Sequence, residues 1–404
     1  MAKTLYSHAF LTGSFNSRIQ PERLDGNEWN RILLSAEEYG SRCGYFYKSH
    51  VDAMAEMNPA AGGQVSQERP KFLRDVCHYV CESGASLVLG NYAFRLERLH
   101  IYFFPLNLSF FVLEIDDTGT ELNDLTQGHY WLMGLSDKMP AAGKEALNRA
   151  LLPLMKAAGV TDCSDLIQNG NKLKLFQVVR TGPLGIGDSE RDDLLYEVAT
   201  SSAIGIVNAG NHMSPSRDYV KRVLGSNLIS VFGEWRALAL VDTFTVLSLE
   251  AGFDPWTFNN LYFPYIYLRC LFEKTFCFSR NDFYRLNRRG YNLANEMVLM
   301  EKYYFYSHIS FNFLPNLILE AIARGMDIRA EREELSKQIK EKATRNRAFV
   351  MAFISAFTVF SVAGTVSKLL IGFGADPGIE LTFNCVAILA WFVYLYYLWQ
   401  NRKV

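Results

Sequence analysis

Apolar and polar positions change rhythm several times along the 404 residues. The first 60 or so mix short apolar runs with turn residues, and 59–70 reads as a loop bracketed by Pro59 and Pro70 around Gly62-Gly63. Phe72, Val76, Tyr79 and Val80 then fall on one helical face, which predicts a helix over 71–83. From Ala85 the pattern predicts strands over 86–89, 92–104 and 108–115. They are rich in β-branched and aromatic residues and separated by Gly90-Asn91 and Pro105-Leu106-Asn107. Thr118 with Glu121 reads as a capping box for a helix reaching Leu135. A second helix is predicted over 144–158, kinked at Pro153, followed by a strand over 172–179. From Val220 a helical pattern dominates: 220–253, broken by Gly225 and Gly233, then the aromatic-dense 254–278, then 280–314 up to Pro315. Strands and helices in this mixture predict an α+β (mixed) domain.

Past Pro315 only Gly325 interrupts the helical pattern, at a cost of about 1 kcal/mol. Glu320 with Arg324, Glu333 with Lys337 and Glu341 with Arg345 are favourable four-residue pairs. A continuous helix over 316–371 would be roughly 84 Å long. Ile328, Leu335 and Ile339 give it only a thin apolar stripe, so it either packs against copies of itself or is a solvated charged linker.

Two apolar stretches follow, 348–371 and 381–399, each long enough to cross a hydrocarbon core about 30 Å thick. Lys340, Lys342, Arg345 and Arg347 precede the first, Arg402 and Lys403 follow the second, and Asp376 and Glu380 lie between them. This asymmetry predicts a transmembrane hairpin with both termini cytoplasmic. Trp391, Tyr394, Tyr396, Tyr397 and Trp399 would form the inner aromatic belt. The expected division is a sensor-like α/β domain over 1–253, a helical region and stalk over 254–346, and a membrane hairpin over 347–404.

Composition adds limits. A formal net charge of −1 gives no electrostatic reason to expect direct nucleic-acid binding. The first residues lack the apolar core of a secretory signal, so the large domain is expected in the cytosol. Seven scattered cysteines in a reducing compartment predict buried thiols rather than disulfides. Cys77 and Cys81 have no second pair to complete a zinc site, and the seven histidines show no metal spacing. No nucleophile elbow, phosphate-binding loop or His-Glu-x-x-His motif occurs, so no catalytic residue is assigned and the chain is expected not to be an enzyme. No covalent cofactor is expected.

Two segments suit an anionic, nucleotide-like ligand. Arg180, Thr181, Gly182 and Gly185 follow a predicted strand, where glycine N–H groups can approach a phosphate; a tight surface turn accounts for them equally. Asn208 and Asn211, with Arg217, Lys221 and Arg222, could read base edges and hold phosphates, or form an exposed loop entering a helix. The aromatics beginning at Trp256 could stack a purine or fill a core. In the first apolar stretch Ser355, Thr358, Ser361, Thr365 and Lys368 are spaced 3, 3, 4 and 3. Their narrow arc suits either a pore lining or tight helix packing.

A large mixed domain, a charged helix running into a first span, a very short loop, a second span and the tail Asn401-Arg402-Lys403 together resemble the CorA-type divalent-cation channels. The resemblance covers 316–404 and is compatible with the remainder. It implies a pentameric, funnel-shaped homo-oligomer in a bacterial inner membrane, multi-pass, with the lipid bilayer as partner and the first span lining a pore. The family's Gly-Met-Asn signature is replaced by Gly372-Phe373-Gly374, which removes the basis for magnesium selectivity. Divergent CorA-like proteins of type III CRISPR systems also lack it. That branch implies an antiviral membrane effector gated by a nucleotide second messenger, such as an S-adenosylmethionine–AMP conjugate. The alternative is constitutive divalent-cation transport.

Overall fold

Strand pairing gathers segments that lie far apart in the sequence. The structure is a computed structural model that describes residues 3–15, 19–25, 28–58, 69–134, 141–160, 173–285 and 293–373, with isolated positions 378, 382, 385 and 386. Its strands are β1 (Thr4–Ser14), β2 (Asn30–Arg31), β3 (Cys77–Leu89), β4 (Tyr92–Phe104), β5 (Leu108–Asp116), β6 (Lys174–Thr181), β7 (Leu228–Ile229), β8 (Trp235–Ala239) and β9 (Thr243–Ser248). They form one mixed sheet in the order β2-β3-β4-β5-β1-β6-β9-β8-β7, in which β6 and β9 pair in parallel and the other neighbours are antiparallel. The β3–β4 turn uses Gly90 at φ +62°, and Leu106 and Asn107 turn β4 into β5 at φ 64° and 59°.

The helices are α1 (Ala36–Tyr45), α2 (Lys48–Met54), α3 (Leu122–Gly134), α4 (Ala141–Lys156), α5 (Asp188–Ala199), α6 (Arg217–Asn227), α7 (Leu268–Arg285), α8 (Leu293–Tyr303), α9 (Phe313–Gly325) and α10 (Ile328–Gly372). A π-helix, Phe258–Tyr267, leads directly into α7. Strand alternation sends Tyr79, Phe94, Leu99, Ile101, Leu113 and Ile115 to one face of the sheet. There they form a core with Leu125 of α3, Leu151 of α4 and Leu195 of α5. The opposite face is aromatic. Phe10 stacks on Phe263 with ring centres 4.0 Å apart, Phe104 stacks on Phe272 at 4.7 Å, and the Tyr267 hydroxyl donates to the Leu175 carbonyl. Burial of both faces explains why the sequence contains so few cleanly amphipathic segments.

Four expected elements are different. One is the helix over 280–314, which gives way to non-helical backbone over 304–312 before α9 begins at Phe313, with Pro315 in its first turn. Residues 71–83 contain one turn, Lys71–Leu73, and then enter β3. Cys77, Tyr79 and Cys81 point to the core while His78 and Val80 point away, a period of two that pairing with β4 enforces. The segment 220–253 is helical only to Asn227 and continues as β7, β8 and β9. The long helix expected over 316–371 breaks at Met326 and Asp327, the latter at φ 56°, between α9 and α10. Just before the break Gly325 packs against β8: a Cβ there would lie 2.7 Å from the carbonyl oxygen of Ala239.

The membrane hairpin and CorA-like funnel are corrected. Among the described residues no helix is long and apolar enough to cross a membrane. The first stretch, 348–371, is the distal part of α10, whose charged proximal part begins at Ile328. Its described side chains mix Met351, Ile354, Val362 and Leu369 with Ser355, Thr358, Ser361, Thr365 and Lys368, all exposed. The second stretch, 381–399, and the tail 401–403 lie outside the described residues apart from Thr382, Cys385 and Val386. The multi-pass localisation, and the channel and antiviral-defence readings built on it, are therefore set aside. The chain divides into two compact units, Met1–Arg332 and Glu333–Val404. The sheet and the site below belong to the first.

Candidate ligand pocket

Four adjacent strands place histidines and carboxylates on one patch of the aromatic face. His8 lies on β1, His78 on β3, His100 on β4 and Glu114 on β5. In the register Phe10 faces Glu114, Arg98 faces Glu114 and Tyr102 faces His78, so the polar groups meet along diagonals. Glu114 is the hub. Its Oε1 lies 3.0 Å from His8 Nε2 and its Oε2 lies 2.8 Å from His100 Nε2. His100 Nδ1 is 2.9 Å from His78 Nε2, and the His78 ring stacks on Tyr102 with centres 4.0 Å apart. All but His78 of this chain are buried.

The electrostatics follow from the contacts. Burial alone would neutralise Glu114, but the hydrogen bonds from His100 and His8 outweigh it and hold the carboxyl far below the usual carboxylate range. Burial, then repulsion from His100, pushes His78 well below the ordinary histidine range, so it is neutral near pH 7. The pocket thus keeps one carboxylate ionised at depth without an arginine bonded to it; the Arg98 guanidinium is 3.7 Å from Glu114 and engages Glu82 at 3.3 Å.

A β-bulge adds a second carboxylate. Leu96 pairs with Ile115 and Arg98 with Glu114, leaving Glu97 as an extra residue in β4. Core positions in β4 are even-numbered up to Leu96 and odd-numbered from Leu99. The bulge turns Glu97 toward the patch, the re-aiming that such insertions produce. Donor atoms of His8, Glu97 and Glu114 lie within 4.8 Å of one another.

Three elements wall the resulting cavity of about 540 Å³. Helix α1, capped by Ser35 and Glu38 in a reciprocal box, supplies Glu38 and Arg42. The Arg42 guanidinium lies against the Trp256 ring at 5.6 Å and the Tyr265 ring at 6.0 Å. The end of α2 supplies Met54 and the following Glu56, which Arg31 holds with two 2.9 Å bonds. The π-helix supplies Asn259, Asn260, Phe263 and Tyr265. Pro264 within it lacks an N–H, and π-turns recur at functional sites. Buried His50 pins this helix: its Nε2–H donates to the Tyr265 carbonyl, so its Nδ1 accepts from the Tyr306 hydroxyl. Asn259 donates to the Tyr6 hydroxyl at 2.5 Å, while its buried Oδ1 has no protein partner among the described residues. Burial first, and nearby carboxylates, push the Tyr6 hydroxyl up to about 12.

The residues expected from sequence to hold a ligand lie elsewhere and apart from one another. Arg180 donates to the carbonyls of Ala251 and Phe253, both at 3.0 Å. Buried Thr181 donates to the Gly182 carbonyl, and Gly185 turns the chain at φ 65°. Arg217 Nη1 donates to both carboxylate oxygens of Asp193 at 2.8 Å while its Nη2 donates to Asn208, Asn211 forms a local turn with Met213, and Lys221 and Arg222 are exposed on α6. These two segments are loop anchors. On α10 the hydroxyls of Ser355, Thr358 and Thr365 donate to carbonyls four residues back.

The sequence reading missed the histidine patch because His8, His78 and His100 show no spacing until strand order joins them. The signal within reach was the strict alternation of Cys77, Tyr79 and Cys81 with His78 and Val80. The aromatic region after Trp256 does border the cavity, through Phe263 and Tyr265. No family model matches the chain, and neither the curated proteins nor the solved structures contain a match.

Proposed function

We propose that the unit Met1–Arg332 is a sensor that binds a small nucleotide-type ligand carrying charges of both signs. The observation that carries this reading is the cavity itself. Its volume of about 540 Å³ falls in the range of roughly 300–1,000 Å³ typical of small-molecule sites. Within it, Arg42 and Arg98 suit a phosphate, Glu38 and Glu97 suit an ammonium or sulfonium centre, and the amides of Asn259 and Asn260 suit the edge of a base. A conjugate of S-adenosylmethionine and AMP has all of these parts. The reading keeps the ligand-sensing half of the expectation drawn from the CorA-like resemblance and none of its membrane half.

The π-helix gives binding a route to the rest of the unit. It continues into α7, whose Lys274 and Asn281 side chains hold Glu331 in the first turn of α10 at 3.2 and 3.0 Å. A ligand that prefers one setting of Asn259 and Asn260 biases that contact by its differential affinity and by no more.

Thermal unfolding of the purified chain with a panel of nucleotides and the conjugate tests the reading. A ligand at one hundred times its Kd stabilises by about 2.7 kcal/mol, and Asn260→Ala and Arg42→Ala, at partly exposed positions, should abolish the shift. If every compound leaves the midpoint unchanged at millimolar concentration, the sensor reading is wrong. Conversion of the bound compound to product would make the unit an enzyme instead.

A further inference from the structure

We propose that His8, Glu97 and Glu114 form a binding site for one divalent first-row transition-metal ion at the floor of the pocket. Two of the three ligands are more than nine-tenths buried, at 8% and 7% exposure, and come from adjacent strands that fix their backbone positions. His8 Nε2 and Glu114 Oε1 are 3.0 Å apart. Two atoms bonded to one ion at about 2.1 Å and at right angles have that same separation. Glu97 offers the third donor, all three lying within 4.8 Å of one another, and a side-chain rotation of Glu97 would bring it onto the same face of the ion. A bound ion would replace the proton shared between His8 Nε2 and Glu114 Oε1, with the His8 ring proton on Nδ1.

The neighbours fit the roles that support a metal. His100 donates to the Glu114 oxygen not facing His8, at 2.8 Å, and so orients the carboxylate; His78 stands behind it at 2.9 Å. Two carboxylates and an imidazole match the charge of a divalent ion, and an imidazole in the set favours iron, nickel or zinc over magnesium or calcium. The remaining coordination positions face the cavity. Resting on the nucleotide reading above, the ion would accept a phosphate or carboxylate oxygen of the ligand, which Glu97 and Glu114 would otherwise repel.

The test uses untagged full-length chain stripped with EDTA and titrated calorimetrically with ZnCl₂, MnCl₂ and MgCl₂, without nucleotide. One site per chain is expected, filled by zinc at least tenfold more tightly than by magnesium. Glu97→Gln, on a partly exposed bulge outside the core, should fold normally and weaken binding by roughly tenfold or more. His8→Gln should do the same, with far-ultraviolet circular dichroism verifying its fold. Absence of zinc binding, or binding unaltered in Glu97→Gln, overturns the proposal. A nucleotide shift that survives EDTA alongside absent metal binding sinks this inference alone. Metal binding with no nucleotide shift sinks only the sensor reading.

Discussion

Glu114 shows how a single buried charge is kept in this fold. Its two oxygens each face one imidazole, so glutamine keeps one acceptor and sets an amide NH2 against the other ring. Glu114→Gln should cost about 1–3 kcal/mol at pH 7, measured by urea unfolding. The sign with pH follows from its depressed folded pKa. The stabilisation is complete above the ordinary glutamate value of 4.5 and is lost as pH falls toward the folded value. Wild type should therefore lose stability more steeply than Glu114→Gln below about pH 4.5, and equal slopes would refute the assignment. Arg269 is a second such residue. It is buried, bonds Glu273 at 2.7 Å and donates to the carbonyls of Tyr304 and Tyr306. Arg269→Leu strands a carboxylate in the core and should cost about 3–5 kcal/mol, with Glu273→Leu in the same chain recovering part of it. Glu114 was not legible in the sequence, because a partner 106 positions away has no local signature. For Arg269 the four-residue spacing to Glu273 was visible, but its burial and its bonds to carbonyls 35 and 37 positions away were not.

At the scale of elements, legibility followed composition and flanking turn residues rather than burial, since β5 is buried along nearly its whole length and β3 alternates. Strands β4 and β5 could be read because β-branched and aromatic residues fill them between turn residues that allow little else. β3 and β8 could not: the first begins among residues that also match a helical stripe, and the second has one face against α5 and the other toward α9. Tertiary pairing overrode the local pattern in both. The end of α9 is a contact that can be tested directly. Gly325 lies under the Ala239 carbonyl, so Gly325→Ala should destabilise by about 1–3 kcal/mol through overpacking. On helix propensity alone the same change would stabilise by up to about 1 kcal/mol. Thermal unfolding decides between the two signs.

For the whole molecule, the candidate site could be found only after the sheet was assembled. The residues chosen from sequence, Arg180 and the 208–222 segment, follow local motifs, and in the structure Arg180 and Arg217 tie loops and helices together across 71 and 24 positions of sequence. The pocket instead draws on β1, β3, β4, β5, α1, α2 and the π-helix, spanning His8 to Tyr265. Such a site requires the fold of the entire unit. Destabilised variants such as Arg269→Leu should therefore lose ligand and metal binding together on warming, in one transition. Binding that outlasts the loss of near-ultraviolet circular dichroism would show the pocket to be a smaller, independent body.

The irregularity in β4 has a consequence for how this chemistry can be gained or lost. Omitting Glu97 leaves inward residues at every second position from Tyr92 to Phe103 and aligns the strand evenly with β5. A one-codon deletion would thus leave that stretch of hydrophobic lining intact while erasing one acidic side chain. Chains of this architecture can differ by a single residue in length and, with it, in whether the cavity floor attracts a cation.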